Sequence, residues 1–137
     1  MSWLVDTNVL SELRKGERAE PGIQTWLATT ADEDLYTSVL VLGEIRRGIE
    51  SIRRRDSVSA MALDQWLARL ATGFGDRILP IDIRVADRWG ALNVPDPVPT
   101  VDGLLAATAL VHDLVLVTRN VRDVASTGVQ VLDPTSR

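Results

Sequence analysis

Four carboxylates, Asp6, Glu44, Asp102 and Asp123, lie where a strand or a loop gives way to a helix. In the stretch LVDTNVLSEL, residues 4–13, Asp6 reads as the last residue of an apolar strand, with Val9, Leu10 and Leu13 on one face of a short helix. Aspartate is a poor strand former and costly to bury, so Asp6 either caps that helix or does chemistry at the mouth of a sheet. Glu44 and Asp102 fall in the first half of helices that follow a strand or a loop, and Asp123 comes five residues after the apolar run LVLVT, 114–118. If the four converge, their repulsion forces either protonation or a cation between them. Mg2+ or Mn2+ prefers carboxylate oxygen and keeps several waters, which leaves room for a phosphate and an attacking water. Such an ion polarises a phosphodiester, lowers the pKa of its water and stabilises the leaving oxygen.

Taken singly, each acid also has an ordinary explanation. Asp6 serves as a turn or cap residue, Glu44 as a helix-surface partner of Arg47, Asp102 as a first-turn residue favoured by the helix dipole, and Asp123 as a loop residue. Spacing alone does not show that they meet. His112, the single histidine, reads as a helix C-terminal residue rather than a ligand, and Trp3, Trp26, Trp66 and Trp89 as core or subunit-contact residues rather than base-stacking platforms.

The elements that must position these acids follow from hydrophobic periodicity. A helix opens at Pro21 with Ile23, Trp26 and Leu27 on its apolar face, and LYTS, 35–38, is a small strand ending in a Ser38 N-cap. A helix follows with Leu42, Ile45, Ile49 and Ile52 at helical spacing. MALDQWLARLA, 61–71, is another, closed by Gly73 and Gly75. RILPI is a strand that Pro80 marks as an edge or an end, and Val85, Trp89 and Leu92 lie on the next helix. NVPDPVP, 93–99, must be a loop, because three prolines in five residues cannot sit in regular structure. Thr100 caps the helix VDGLLAATALVH, whose alanines suit close packing. LVLVT is a strand covered on both faces, RNVRDVAST a short helical turn broken by Gly128, and VQVL a last strand before Pro134. Strands alternating with helices imply a single α/β domain, residues 1–137, with a mostly parallel central sheet flanked by helices in an α/β/α sandwich. In such sheets ligands bind beyond the carboxyl ends of the strands, the edge that all four acids could reach.

Composition narrows the classes further. At 137 residues with 45% hydrophobic content the chain forms one core. It has no cysteine, so disulfides and thiolate metal sites are excluded, which suits a reducing cytoplasm. No stretch resembles a signal peptide or is apolar enough to cross a bilayer. Nineteen acidic against 15 basic residues give a net charge of −4, which argues against nucleic-acid binding through overall basicity. Arg46, Arg47, Arg53, Arg54 and Arg55 nevertheless place five positive charges in ten residues, either a solvated helix face or a guide for a nucleic-acid backbone.

Together, VDTNVLSEL, GEIRRGI, VDGLLAATALVHDLVLVTRN and VRDV resemble the PIN-domain family, and within it the VapC-type toxins of bacterial toxin–antitoxin pairs. The resemblance covers nearly the whole chain. It implies an Mg2+- or Mn2+-dependent ribonuclease, commonly a homodimer, held inactive by a cognate antitoxin. By position, Asp6 and Asp102 become the principal metal ligands and Glu44 and Asp123 complete the acidic cluster; Asn8, Thr118 and Asn120 become supporting polar groups. This chain departs from the pattern at Gly103, where alanine or a better helix former is frequent, at Asp113, where glycine is frequent, and at Val124, where an aromatic is frequent. The rival readings are a non-catalytic RNA- or protein-binding module of the same fold, which would not need a self-repelling acid cluster, and a structure-specific DNA nuclease of the same fold, whose relatives tend to be longer. A haloacid-dehalogenase-type phosphatase is disfavoured because DTN lacks the second aspartate of DxD.

Overall fold

The computed structural model describes residues 1–135. Its sheet is parallel throughout, with strands β1 (Trp3–Val5), β2 (Leu35–Ser38), β3 (Ile78–Leu79), β4 (Val115–Val117) and β5 (Val131–Leu132) in the order β3-β2-β1-β4-β5. β1 is therefore central. Leu4 and Val5 point to opposite faces of it and are both buried, as are all three residues of β4, so helices cover both sides of the sheet. The expected sandwich is the observed one. The connections are α1 (Thr7–Leu10), α2 (Pro21–Ala28), α3 (Val39–Ile52), α4 (Ser57–Phe74), α5 (Ile83–Leu92), α6 (Thr100–Val111) and α7 (Val121–Val124), with a 3-10 segment over Ser11–Arg18 after α1.

α3 pairs with α4, and α5 with α6, which lies against β1 and β4. α6 is buried on nearly every side from Gly103 to Ala109, and its run of alanines is what allows neighbours so close. Asp113, just beyond it, has φ +54°, the left-handed conformation in which glycine is common and aspartate tolerated. Trp3 packs edge-on against Trp26, with ring centroids 5.6 Å apart, and Trp26, Trp66 and Trp3 all lean on the core.

Several local expectations are corrected. Asp6 lies outside β1, as the N-cap of α1, because its carboxylate accepts from Thr7 N. α6 has Pro99 at its N-cap and Thr100 as its first residue, with no side-chain cap bond. Leu13 is exposed, since the chain tightens into the 3-10 turn after Leu10 and rotates Leu13 off the apolar face. In α3 the fully buried position is Val41 rather than Leu42, which is half-buried. α4 begins at Ser57, capped by Asp56, and only Gly75, with φ +53°, ends it; Gly73 lies inside.

Candidate active site

Because every strand runs the same way, the carboxyl ends of β1, β2 and β4 share one edge. β1 stands where the sheet order reverses, with β2 on one side and β4 on the other, the place where a crevice opens in a parallel sheet. Asp6 enters that crevice. Its N–H donates to Val117 O at 2.9 Å, which prolongs the β1–β4 ladder by one bond, and its carbonyl accepts from Val9 N and Leu10 N, which starts α1.

The Asp6 side chain is held from both sides. Oδ1 accepts from Thr7 N at 2.6 Å and Oδ2 from the Thr118 hydroxyl at 2.7 Å. It is only 4% exposed. Burial is the main reason its pKa lies above the ordinary aspartate value; the Thr118 and Thr7 bonds pull the other way, and the charge of Glu44 adds to the rise. The cap and the chemical readings of Asp6 are thus compatible: the same carboxylate closes a helix and carries a raised pKa.

The other acids reach it from three elements. Glu44, in the second turn of α3, accepts from the Thr7 hydroxyl at 2.5 Å, so its partner is Thr7 rather than Arg47. Asp102, in the first turn of α6, also has a raised pKa, chiefly from burial, opposed by Asn120 and reinforced by the charges of Asp6 and Asp123. Asp123, in α7, is the neighbour of Asp102 whose charge adds to that rise. The four acids therefore form a chain of neighbours, Glu44 to Asp6 to Asp102 to Asp123. Among the described residues no three acidic or imidazole side chains are close enough to enclose an ion on their own.

The polar groups around this chain hang on Thr118. Besides donating to Asp6, its hydroxyl accepts from Asn120 N at 3.0 Å and, at the long limit of 3.5 Å, from Asn8 Nδ2. Asn8 Oδ1 in turn accepts from Arg119 N at 3.3 Å, and Asn120 Nδ2 lies 3.5 Å from Asp102 Oδ1. Asn8, Thr118 and Asn120 thus all lie beside the acids. Thr7 is there too and escaped the sequence reading; its only signal was a hydroxyl directly after Asp6 in the turn.

The five arginines do not act as one group. Arg46 and Arg53 both grip Asp64 of α4 at 2.7 Å and both pair with Glu50, which pulls the Asp64 carboxyl down to about 2 and holds both guanidiniums firmly charged. They clamp α3 to α4. Arg47, Arg54 and Arg55 are free of ion pairs among the described residues. His112 is the C-cap of α6, away from the acids, with its Nε2 buried and unpaired. No described helix is long and apolar enough to cross a membrane.

A family profile described as the PIN domain matches residues 3–127. Over 138 residues the chain is 30% identical to toxin FitB of Neisseria gonorrhoeae, and over 139 residues 27% identical to VapC ribonuclease Y4jK of Sinorhizobium fredii; each alignment covers 96% of both chains. Among solved structures, a toxin–antitoxin complex from Klebsiella pneumoniae contains a chain that superposes with a TM-score of 0.67 at 28% identity, covering 97% of this chain and 98% of that one.

Proposed function

The chain belongs to the PIN-domain family, and from that premise we propose that it is a metal-dependent endoribonuclease acting as the toxin of a toxin–antitoxin pair, with all of residues 1–137 forming its single PIN domain. The observation that carries this reading is the chain of four acids at the carboxyl edge of β1, in which buried Asp6 and half-buried Asp102 both have raised pKa values. The names of the relatives, a ribonuclease and a toxin, support the same activity.

The donor set suits Mg2+ or Mn2+. It is all oxygen, it repels itself when ionised, and two carboxylates with retained waters are an ordinary way to hold Mg2+. Asp6 and Asp102 would be the principal ligands, with Glu44 and Asp123 at either end of the cluster. When bound, the ion supplies charge against the scissile phosphate and makes its water more acidic. The residues do the remainder. A carboxylate of the cluster takes a proton from the attacking water, whose oxygen adds in line to phosphorus as the bond to the 3′ oxygen breaks; the departing 3′ oxygen takes up a proton from solvent, giving a 5′-phosphate and a 3′-hydroxyl. Thr118 holds Asp6 in position, while Asn8 and Asn120 orient the loop after β4 and Asp102. Arg47, Arg54 and Arg55 draw the RNA backbone toward an otherwise negative mouth.

The partners are an RNA substrate, a cognate antitoxin and a second copy of the chain in a homodimer, and the setting is the cytoplasm, where transcripts are made. The similarity to a chain of the Klebsiella complex supports the antitoxin. Labelled RNA incubated with the purified chain should be cut with Mn2+, and remain intact with chelator or with Asp6→Asn, while DNA of the same sequence survives. Metal-dependent cutting by Asp6→Asn would overturn the reading. Expression of the chain alone should halt growth, and its genomic neighbour should relieve the arrest.

A further inference from the structure

α6 begins without a capping side chain, so the first turn that carries Asp102 must be held by packing. Trp89 of α5 supplies it. A Cβ placed on Gly103 would meet Trp89 Cδ1 at 3.2 Å, Trp89 Nε1 at 3.3 Å and Val98 Cβ at 3.4 Å, so the indole lies in a notch that exists because residue 103 has no side chain. Nothing polar explains the placement of the ring, since Trp89 Nε1 is buried with no hydrogen-bond partner, where an indole N–H usually finds one. A staple fixes the indole's backbone to the start of α6. Asn93 Nδ2 donates to Trp89 O at 2.8 Å and Asn93 Oδ1 accepts from Val98 N at 3.0 Å. Val98 is buried, and the next carbonyl, Pro99 O, accepts from Gly103 N at 2.8 Å to open the helix. The proline-rich loop 93–99 is thereby a closed bracket between the end of α5 and the turn that bears Asp102.

The structure assigns to Trp89 the role of a positioning residue: seated at Gly103 and stapled through Asn93, it sets the first turn of α6 so that Asp102 is presented to Asp6. The inference rests on the metal-dependent reading of the acid site and deepens it. It also accounts for the glycine at 103, which a better helix former could not replace without moving the ring by a few tenths of an ångström.

The test is Mn2+ affinity of the purified chain, measured by calorimetry, together with crystal structures of the metal-free proteins. Gly103→Ala should weaken Mn2+ binding about 10- to 100-fold, the range for lost support of a metal ligand, with the circular dichroism of the folded chain retained. Trp89→Leu, which removes the ring that seats the turn, should weaken Mn2+ binding by a similar factor. Gly73→Ala, whose methyl meets nothing within 4 Å, should bind as the parent does. Should Gly103→Ala fail to fold, Asn93→Ala, which cuts the staple without adding volume, should show the loss instead. Parent-like affinity in Gly103→Ala, Asn93→Ala or Trp89→Leu would overturn the inference and leave the metal reading intact. Were the parent itself to bind no Mn2+, the metal reading would fall, and the metal-free structures would decide alone: an Asp102 displaced from Asp6 in Gly103→Ala supports the positioning role, and an unmoved one ends it.

Discussion

The Thr118 hydroxyl donates to Asp6 Oδ2 at 2.7 Å across 112 residues of sequence, joining the loop after β4 to the end of β1. Both side chains are almost wholly buried, at 1% and 4% exposure, so the bond exchanges little with water. Thr118→Val keeps the shape and removes the donor. It should cost about 1–3 kcal/mol in urea unfolding, the range for leaving a buried polar group unsatisfied, and should weaken Mn2+ binding as well. A variant with unchanged stability and affinity would show that the Asp6 carboxylate does not depend on this hydroxyl.

The raised carboxyls give the metal-free protein an unusual pH profile. A carboxyl whose folded pKa exceeds its unfolded value binds more protons when folded, so it weakens the fold as pH rises from near the ordinary aspartate value of 3.8 through the folded pKa. The carboxyls of Glu12, Glu50, Asp56, Asp64 and Asp82 are lowered and act oppositely, losing stabilisation only as pH falls below their ordinary values. Acidification from pH 7 should first strengthen the metal-free chain and then weaken it. Unfolding free energies across this range should show the rise in the parent and much less of it in Asp6→Asn.

Arg46 and Arg53 look like RNA contacts in the sequence and like structural clamps in the fold. Arg53→Gln should lower the urea midpoint by an amount that shrinks in high salt, since its ion pairs are half exposed, while leaving the KM for RNA close to that of the parent. Arg54→Gln with Arg55→Gln should do the reverse, raising KM with little effect on the midpoint. Equal effects of the two variants on KM would return all five arginines to one binding role.

Asp113 occupies a conformation that favours glycine. Asp113→Gly relieves the backbone cost, partly offset by the greater freedom of the unfolded chain, and should stabilise the protein by about 0.5–1 kcal/mol. Thermal unfolding checks it, and a lowered Tm would mean that the aspartate side chain contributes more than its backbone conformation costs.

How much of this was legible beforehand differs from element to element. The apolar run LVLVT announced a doubly covered strand because a strand buried on both faces admits no alternation, and the prolines of 93–99 announced a loop because proline lacks the donor that regular structure needs. Leu13 was misplaced because a 3-10 turn rotates side chains differently from the α-helical period assumed for it. The ion pairs of Arg46 and Arg53 were not legible because a run of like charges in sequence does not reveal the acids, here Glu50 and Asp64, that another turn or another helix will set against them.

By itself the sequence determined which residue types were present and the local order of strand and helix, since periodicity, proline, glycine and capping chemistry act over a few residues. That order placed each of the four acids near the end of a strand or the start of a helix. Only the tertiary structure decided which of them are neighbours, that Thr7 and Thr118 tie Asp6 down from two sides, and that the Trp89 ring rests on Gly103. Those are distances between segments far apart in the chain, and they are set by how helices pack on a parallel sheet.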